Sequence, residues 1–131
     1  MKTFYILIIT FVFNLTIIAQ TTKITFEVIT SDSNDVYIVG NLPQLGNWNP
    51  MKIKLNNKGL KHIITLNFNK SENIEFKFTR GSWQNEALDY YGNVPPNNTL
   101  TVNNDTTLIF KINNWATPSN HNTFEGQITG N

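Results

Sequence analysis

Most of the chain alternates between apolar and polar residues, which is the pattern of half-buried β-strands. Such strands are predicted over residues 24–29, 36–39, 51–55, 60–68, 74–79, 100–102 and 108–112. Stretches rich in Asn, Ser, Asp and Gly separate these segments, and those residues favour turns. The sequence therefore predicts an all-β protein, an antiparallel immunoglobulin-like β-sandwich of about seven to eight short strands.

One of these strands, residues 74–79, combines an aromatic inner face with a polar outer face. Lys77 and Thr79 are expected to point outward, where a lysine is ordinarily a solvated charge. The strand leads into a loop that contains Arg80 and Glu86. These two residues are expected to form an ion pair across the loop, which contributes little to stability if it is exposed.

The N-terminal segment, residues 1–19, has the features of a secretory signal peptide that is cleaved after Ala19. Lys2 precedes an apolar run that is shorter than the roughly 20 residues of a membrane-spanning helix. We therefore expect residues 20–115 to form a secreted or periplasmic domain, with no membrane span after cleavage. Residues 116–131 are rich in Pro, Ser, Asn, Thr and Gly and are expected to form a flexible tail or the start of a linker.

Composition argues against several classes of function. The 10 basic and 9 acidic residues are not clustered, whereas a nucleic-acid surface needs a basic patch. The chain has no cysteine, and His62 and His121 lack metal-ligand spacing, so neither a metal site nor a cofactor is expected. His62 lies on the apolar face of its strand, where a structural imidazole is favoured over a catalytic one.

No catalytic residues are assigned from the sequence. Glu86 and Asp89 are the only neighbouring carboxylates on a loop, and glycoside hydrolysis needs two carboxylates set across a cleft. A domain of this length has no room for a deep cleft beside its core. The Ser/His/Asp, nucleophile-elbow and His-Glu-x-x-His motifs are also missing from the sequence.

Two segments contain candidate binding residues. The first, residues 36–50, is a strand followed by a loop in which Trp48 stands between two asparagines. Leu42 and Leu45 are expected to pin this loop from below. A tryptophan on such a loop either folds back into the core or remains at the surface to stack on a flat ligand, and the residues alone leave both open.

The second segment, residues 75–102, ends a strand and enters a long loop with Trp83, Tyr90 and Tyr91. Aromatic faces beside amide and charged groups suit a sugar, because hexose C–H faces pack on rings and hydroxyls hydrogen-bond to Asn, Lys or Glu. For Trp83, loop packing and ligand contact are equally open.

Both segments resemble the family 20 carbohydrate-binding module, the starch-binding domain, over about residues 24–115. The sequence Leu-Gly-Asn-Trp ending at Trp48 is similar to the family's leucine-glycine-x-tryptophan loop, which supplies one aromatic platform. The sequence Phe-Thr-Arg-Gly-Ser-Trp ending at Trp83 is similar to related N-terminal modules of secreted esterases and amylases.

The resemblance also implies roles for polar residues. Lys77 matches a site lysine and Asn97 matches the asparagine of a Pro-Asn-Arg motif, although Asn98 stands in place of the arginine. The family's second platform tryptophan should follow Glu86, where this chain has Tyr90 and Tyr91. One of these tyrosines is expected to replace it. The family's second site has no aromatic counterpart, so one working site is expected.

Together these observations predict a non-catalytic, secreted module that binds α-glucan, namely starch, maltooligosaccharide or glycogen. Its expected partners are this glucan and a catalytic domain or enzyme that acts on it. The expected carbohydrate-binding residues are Trp48, Lys77, Trp83, Glu86, Tyr90, Tyr91 and Asn97. Two alternatives remain: an immunoglobulin-like module for protein interaction, and an N-terminal fragment of a larger secreted esterase or glycoside hydrolase.

Overall fold

The structure is a computed structural model that describes residues 2–118. Its ten strands are β1 (Thr21–Thr30), β2 (Tyr37–Gly40), β3 (Ile53–Lys54), β4 (Asn56–Lys58), β5 (Lys61–Asn69), β6 (Asn73–Thr79), β7 (Ala87–Leu88), β8 (Asn98–Thr101), β9 (Thr106–Ile112) and β10 (Asn114–Trp115). Two short 3₁₀ turns, Pro43–Leu45 and Trp83–Asn85, lie in loops. The predicted all-β sandwich is confirmed.

Two four-stranded sheets and one small ladder make up the fold. Sheet 1 has the order β4-β5-β1-β9, and sheet 2 has the order β3-β2-β6-β8. The ladder pairs β10 with β7. All strand pairs are antiparallel except β1 with β9, which run parallel from Ile24 opposite Thr106 to Thr30 opposite Ile112.

The core lies between the inner faces of the two sheets, as the alternation predicted. On β1 the inward residues Ile24, Phe26 and Val28 are fully buried. The ring of Phe26 meets that of Phe76 from β6, with 5.1 Å between the ring centroids and an angle of 75° between their planes. This edge-to-face geometry is favourable for aromatic pairs and ties sheet 1 to sheet 2.

The strand count exceeds the prediction because the additional strands are very short or polar. β4 (Asn56–Lys58) consists of residues that the sequence assigned to a turn, yet it pairs with β5 through Lys58 opposite Lys61. The turn itself is only Gly59 and Leu60, and Gly59 has a φ of 80°, which glycine adopts at little cost. β7 and β10 have two residues each, too few to show any alternation.

Thr79 points outward, as predicted, but it is shielded from solvent. Thr79 is on the outer face of β6, but its side chain is completely buried. Its hydroxyl donates a hydrogen bond to the carbonyl of Pro50 at 2.7 Å. The loop before β3 therefore covers this end of the outer face of sheet 2.

Outside the sandwich, residues 2–20 form neither helix nor strand, and their apolar side chains are exposed. Within residues 2–118 no helix has the length and apolar composition that are needed to cross a membrane. Of the predicted tail, residues 119–131 lie outside the described part of the chain.

Gly40, at the end of β2, is the position where an added methyl group should be most disruptive. A Cβ atom there would lie 2.2 Å from the backbone oxygen of Glu75 and 2.8 Å from a side-chain atom of Leu45. Because a backbone oxygen cannot move aside easily, we expect Gly40→Ala to lower the free energy of unfolding by about 3 kcal/mol. Urea denaturation, with tryptophan fluorescence as the signal, measures the change in the free energy of unfolding.

Gly59→Ala is the matched control for this prediction. Nothing lies within 4 Å of the position of its Cβ, so only the cost of a positive φ remains, about 1 kcal/mol. Equal losses in the two variants would show that the close approach at Gly40 is relieved by a backbone shift.

Candidate functional site

The Trp48 loop returns across the outer face of sheet 2. Gly46, Asn47 and Trp48 have φ values of 80°, 48° and 62°, so three successive residues are left-handed. This conformation costs a non-glycine residue about 1 kcal/mol and persists only where surrounding contacts impose it. Here the N–H of Trp48 donates to the carbonyl of Gly40 at 2.8 Å, and Leu45 is fully buried beneath the loop. The predicted pinning by Leu45 is confirmed, and the Trp48 side chain is held half-buried.

Trp83 lies beside Trp48. The centroids of the two rings are 6.4 Å apart, and their planes differ by 35°. The loop of Trp83 is closed by a hydrogen bond at 3.0 Å from the N–H of Arg80 to the carbonyl of Asn85. The Trp83 side chain remains 37% exposed. The two indoles, hereafter the tryptophan pair, therefore form one partly exposed aromatic surface.

Lys77 lies on β6, one position beyond Phe76, and its side chain is only 14% exposed. Its ammonium group donates hydrogen bonds to the carboxylate of Glu86 at 3.0 Å and to the carbonyl of Pro95 at 2.8 Å. An ammonium group carries three N–H donors, so two of them are used by these contacts within residues 2–118. Lys77 therefore joins two parts of the chain to sheet 2: the residue before β7 and the loop between β7 and β8.

The predicted ion pair between Arg80 and Glu86 is wrong. The backbone of Glu86 forms an isolated β-bridge with that of Thr79, which lies on the same face of β6 as Lys77. The Glu86 carboxylate therefore meets Lys77 instead of Arg80. Arg80 points the other way and donates to the carboxylate of Asp32 at 2.8 Å. The error arose because nearness along the chain does not indicate on which face of a strand two side chains lie.

The guanidinium of Arg80 also stacks over the ring of Trp115, with 4.1 Å between its central carbon and the ring centroid. A hydrogen bond from the N–H of Asn34, assisted by the Arg80 charge, lowers the pKa of Asp32.

Burial, with a contribution from the positive charge of Arg80, lowers the pKa of His62. His62 is fully buried, and one ring nitrogen lies 3.2 Å from the hydroxyl of Thr30, which fits the structural role predicted from the sequence.

Asn97 precedes β8 at the same end of sheet 2. In the next row of that sheet, Gly40, Phe76 and Asn98 lie side by side on β2, β6 and β8. The Asn98 amide donates to the carbonyl of Phe76 at 3.2 Å and fixes this register, while Asn97 itself is exposed. The Trp48 loop and Asn97 therefore flank β6 from its two neighbouring strands.

Tyr90 and Tyr91 form a separate ring pair, with centroids 5.3 Å apart and planes at 85°. They are 88% and 83% exposed, and they occupy a turn at residues 89–93 beside β10. The side-chain amide of Asn114 donates to the carbonyls of Asp89 and Tyr90 at 3.0 and 3.2 Å. The ring neighbour of Trp48 is thus Trp83, while the exposed tyrosines extend to the side of the domain.

The two neighbouring loop carboxylates, Glu86 and Asp89, both bind other groups of the protein. Glu86 is paired with Lys77, and the Asp89 carboxylate accepts the N–H groups of Tyr91 and Asn93, each at 2.9 Å. Residues 2–118 contain no group of three or more acidic or histidine residues that could hold a metal ion.

The sequence analysis did not predict the contact of Lys77 with the backbone carbonyl of Pro95, because residue types do not indicate contacts with backbone atoms.

Comparison of the sequence with known proteins identifies the family of this chain. The family described as the starch binding domain matches residues 21–111. An amylopullulanase from Thermoanaerobacter thermohydrosulfuricus is 35% identical over 95 residues, which are 70% of this chain but only 6% of the amylopullulanase.

Solved structures support the fold. A family 15 glucoamylase from Hypocrea jecorina gives a TM-score of 0.52 at 23% identity, over 73% of this chain and 17% of that one. A gamma-CGTase from an alkalophilic Bacillus clarkii gives 0.50 at 23% identity, over 71% of this chain and 15% of that one. The chain thus spans a small part of each of these proteins, and through its family match it belongs to the starch-binding domains, family 20 of the carbohydrate-binding modules.

Proposed function

We propose that this chain is a non-catalytic module that binds α-1,4-glucan on the tryptophan pair. The observation that carries the proposal is the placement of Trp48 and Trp83, 35 positions apart in the sequence, with ring centroids 6.4 Å apart. Membership of the starch-binding domain family supports the choice of ligand.

The geometry of the tryptophan pair suits this ligand. Two indole planes inclined by 35° form a shallow bent surface, and chains of α-1,4-linked glucose are themselves curved. Apolar C–H faces of two glucose units pack on the rings, which lose little side-chain entropy because Trp48 is held by its strained loop. The third N–H donor of Lys77 binds a sugar hydroxyl, and the exposed amide of Asn97 offers both a donor and an acceptor to sugar hydroxyls.

The other candidate binding residues named from the sequence take different roles in this proposal. Glu86 positions Lys77, since its carboxylate is already paired and only 11% exposed. Tyr90 and Tyr91 contact glucan from a neighbouring surface. Because only a few rings are involved and hydroxyls lose water on binding, the affinity for a short oligosaccharide is modest.

The proposal includes export of the domain. Residues 1–19 act as a signal peptide, residues 20–115 as the secreted or periplasmic binding domain, and residues from 116 onward as a tail or linker. Exposed apolar side chains in residues 2–20 support this division, because the core is complete without them. A catalytic domain or enzyme acting on the same glucan is the proposed partner. The small share of each matched enzyme that the chain covers supports this partner.

The test is electrophoresis of the full-length chain in native gels with and without soluble starch. We expect starch to retard the parent chain, and we expect Trp48→Ala and Trp83→Ala each to weaken binding about 30-fold, the typical loss for a buried aromatic contact. Ile109→Ala, which truncates a 61% exposed residue on β9, should bind like the parent. If starch leaves the parent's migration unchanged, the proposed function is wrong.

A further inference from the structure

Thr79, the last residue of β6, lies beneath the two loops that carry the tryptophan pair. Its side chain is 0% exposed, although threonine is mostly a surface residue. A buried hydroxyl needs hydrogen-bond partners, and here both partners are backbone groups of the loops. The hydroxyl donates to the carbonyl of Pro50 at 2.7 Å and accepts the N–H of Gly81 at 3.1 Å. One buried oxygen atom therefore joins the Trp48 loop, residues 41–52, to the Trp83 loop, residues 80–85.

The two contacts of the Thr79 hydroxyl are equally close to the two tryptophans along the chain. Pro50 comes two residues after Trp48, and Gly81 comes two residues before Trp83. Within residues 2–118 no hydrogen bond runs directly from one of these loops to the other, so their hydrogen-bonded link is the Thr79 hydroxyl. A change at this hydroxyl therefore reaches both indoles through short stretches of backbone.

The Trp48 loop needs such an attachment because its backbone conformation is unfavourable. Asn47 and Trp48 have φ values of 48° and 62°, and residues other than glycine keep a positive φ only where neighbouring groups impose it. On one side, the N–H of Trp48 donates to the carbonyl of Gly40 at 2.8 Å. On the other side, Pro50 is held by Thr79. Removing the second attachment allows the loop to relax, and the Trp48 ring then changes its inclination.

The Trp83 loop depends on Thr79 for its position and not for its closure. The bond from the N–H of Arg80 to the carbonyl of Asn85 closes this loop, but it lies within the loop and does not fix the loop relative to Trp48. Gly81 begins the turn with a φ of 108°, and its N–H is bonded to Thr79. The same hydroxyl that holds the Trp48 loop therefore also orients the start of the Trp83 loop.

We propose that Thr79 is the positioning residue of the tryptophan pair, because its hydroxyl sets the 6.4 Å separation and the 35° inclination of the two indoles. This inference rests on the proposed function of the tryptophan pair. Thr79 does not touch glucan, since its side chain is completely covered. A ring pair that is fixed before binding loses little entropy when glucan arrives, so losing the hydroxyl weakens binding although both rings remain.

The test compares Thr79→Val with Thr79→Ser in the full-length chain. Valine resembles threonine in shape but forms no hydrogen bonds, whereas serine keeps the hydroxyl. By calorimetry with maltoheptaose, we expect Thr79→Val to bind about tenfold more weakly than the parent and Thr79→Ser to stay within about twofold of it. If Thr79→Val does not fold, Thr79→Cys takes its place, because a thiol is only a weak donor and acceptor.

Thr30→Val is the matched control for these variants. It also removes a buried hydroxyl, one that donates to the carbonyl of Asp32 at 2.6 Å, but Thr30 has no hydrogen bond to either tryptophan loop. We expect Thr30→Val to lower the melting temperature and to bind maltoheptaose like the parent. The comparison separates the position of the indoles from the overall stability of the domain.

Circular dichroism gives a second readout, which does not depend on glucan. Two adjacent indoles couple in the far ultraviolet, and the amplitude of the resulting exciton couplet depends on their separation and relative orientation. We expect the same couplet in the parent, Thr79→Ser and Thr30→Val, and a weaker one in Thr79→Val. Trp48→Phe removes one indole of the pair and so identifies its couplet among the signals of the three tryptophans.

Three outcomes overturn the inference and leave the proposed function standing. Unchanged binding or an unchanged couplet in Thr79→Val would show that the hydroxyl does not position the indoles. Equal losses of binding in Thr79→Val and Thr30→Val would show that binding follows overall stability. A Thr79→Ser variant as weak as Thr79→Val would assign the effect to the methyl group. A parent chain that does not bind maltoheptaose would instead refute the proposed function, and this inference with it.

Discussion

Replacing Phe76 with alanine is expected to lower the free energy of unfolding by about 4 kcal/mol. The side chain is 1% exposed and lies at the centre of the aromatic core. Its ring centroid is 5.1 Å from that of Phe26 and 5.8 Å from those of Phe78 and Phe110. Removing it deletes contacts to both sheets and leaves a cavity that rigid β-strands cannot close. Urea denaturation of the full-length chain measures the loss.

Phe76→Leu is the matched variant for this prediction. It retains most of the apolar volume but none of the edge-to-face ring contacts, so a loss of about 1.5 kcal/mol is expected. If Phe76→Ala cost no more than Phe76→Leu, the neighbouring rings would have to collapse into the space, and the aromatic cluster would not be a rigid core.

Replacing Glu86 with alanine is the second change with a large expected effect. It removes the carboxylate that faces the Lys77 ammonium at 3.0 Å, in a pair whose side chains are 14% and 11% exposed. Breaking a buried pair by deleting one partner leaves an uncompensated charge. The carbonyl of Pro95 still accepts one hydrogen bond from Lys77, so we expect the free energy of unfolding to fall by about 3 kcal/mol, the lower end for such changes.

The double variant Lys77→Met/Glu86→Leu separates stability from binding. Replacing both charges with apolar residues of similar volume should recover most of the stability lost in Glu86→Ala. Starch binding should stay below that of the parent, because the N–H donors of Lys77 are gone. On the same samples, urea denaturation measures the free energy of unfolding and retardation in starch gels measures the binding. A double variant as unstable as the single one would show that the pair does not act through its charges.

The sandwich was predictable because its signal repeats along each strand. Ile24, Phe26 and Val28 are inward at every second position, and burial on one face of a sheet requires that spacing. The parallel pairing of β1 with β9 was not predictable, since alternation gives the face of a strand but not its neighbour or direction. The same limit applies to β7 and β10, which are too short to carry a pattern.

The candidate site was predictable in its members but not in its arrangement. Trp48, Trp83 and Lys77 were all named from residue type and family resemblance. The sequence suggested Tyr90 or Tyr91 as the second platform, whereas the ring beside Trp48 belongs to Trp83. That contact depends on how two loops fold back toward each other, which is set by turn geometry and by hydrogen bonds to backbone atoms. Residue types alone do not specify these features.

The position of β1 inside sheet 1 also determines the order in which the domain can be completed. β1 is made first, yet one of its two neighbours, β9, is made last among the strands of the sheets, and the N–H of Lys23 bonds to Asp105 across 82 positions. Contacts between such distant residues carry a large loop-closure entropy and slow the folding of β-proteins. Sheet 1 therefore cannot close until β9 has been synthesised, so its share of the core is completed only late in the formation of the domain.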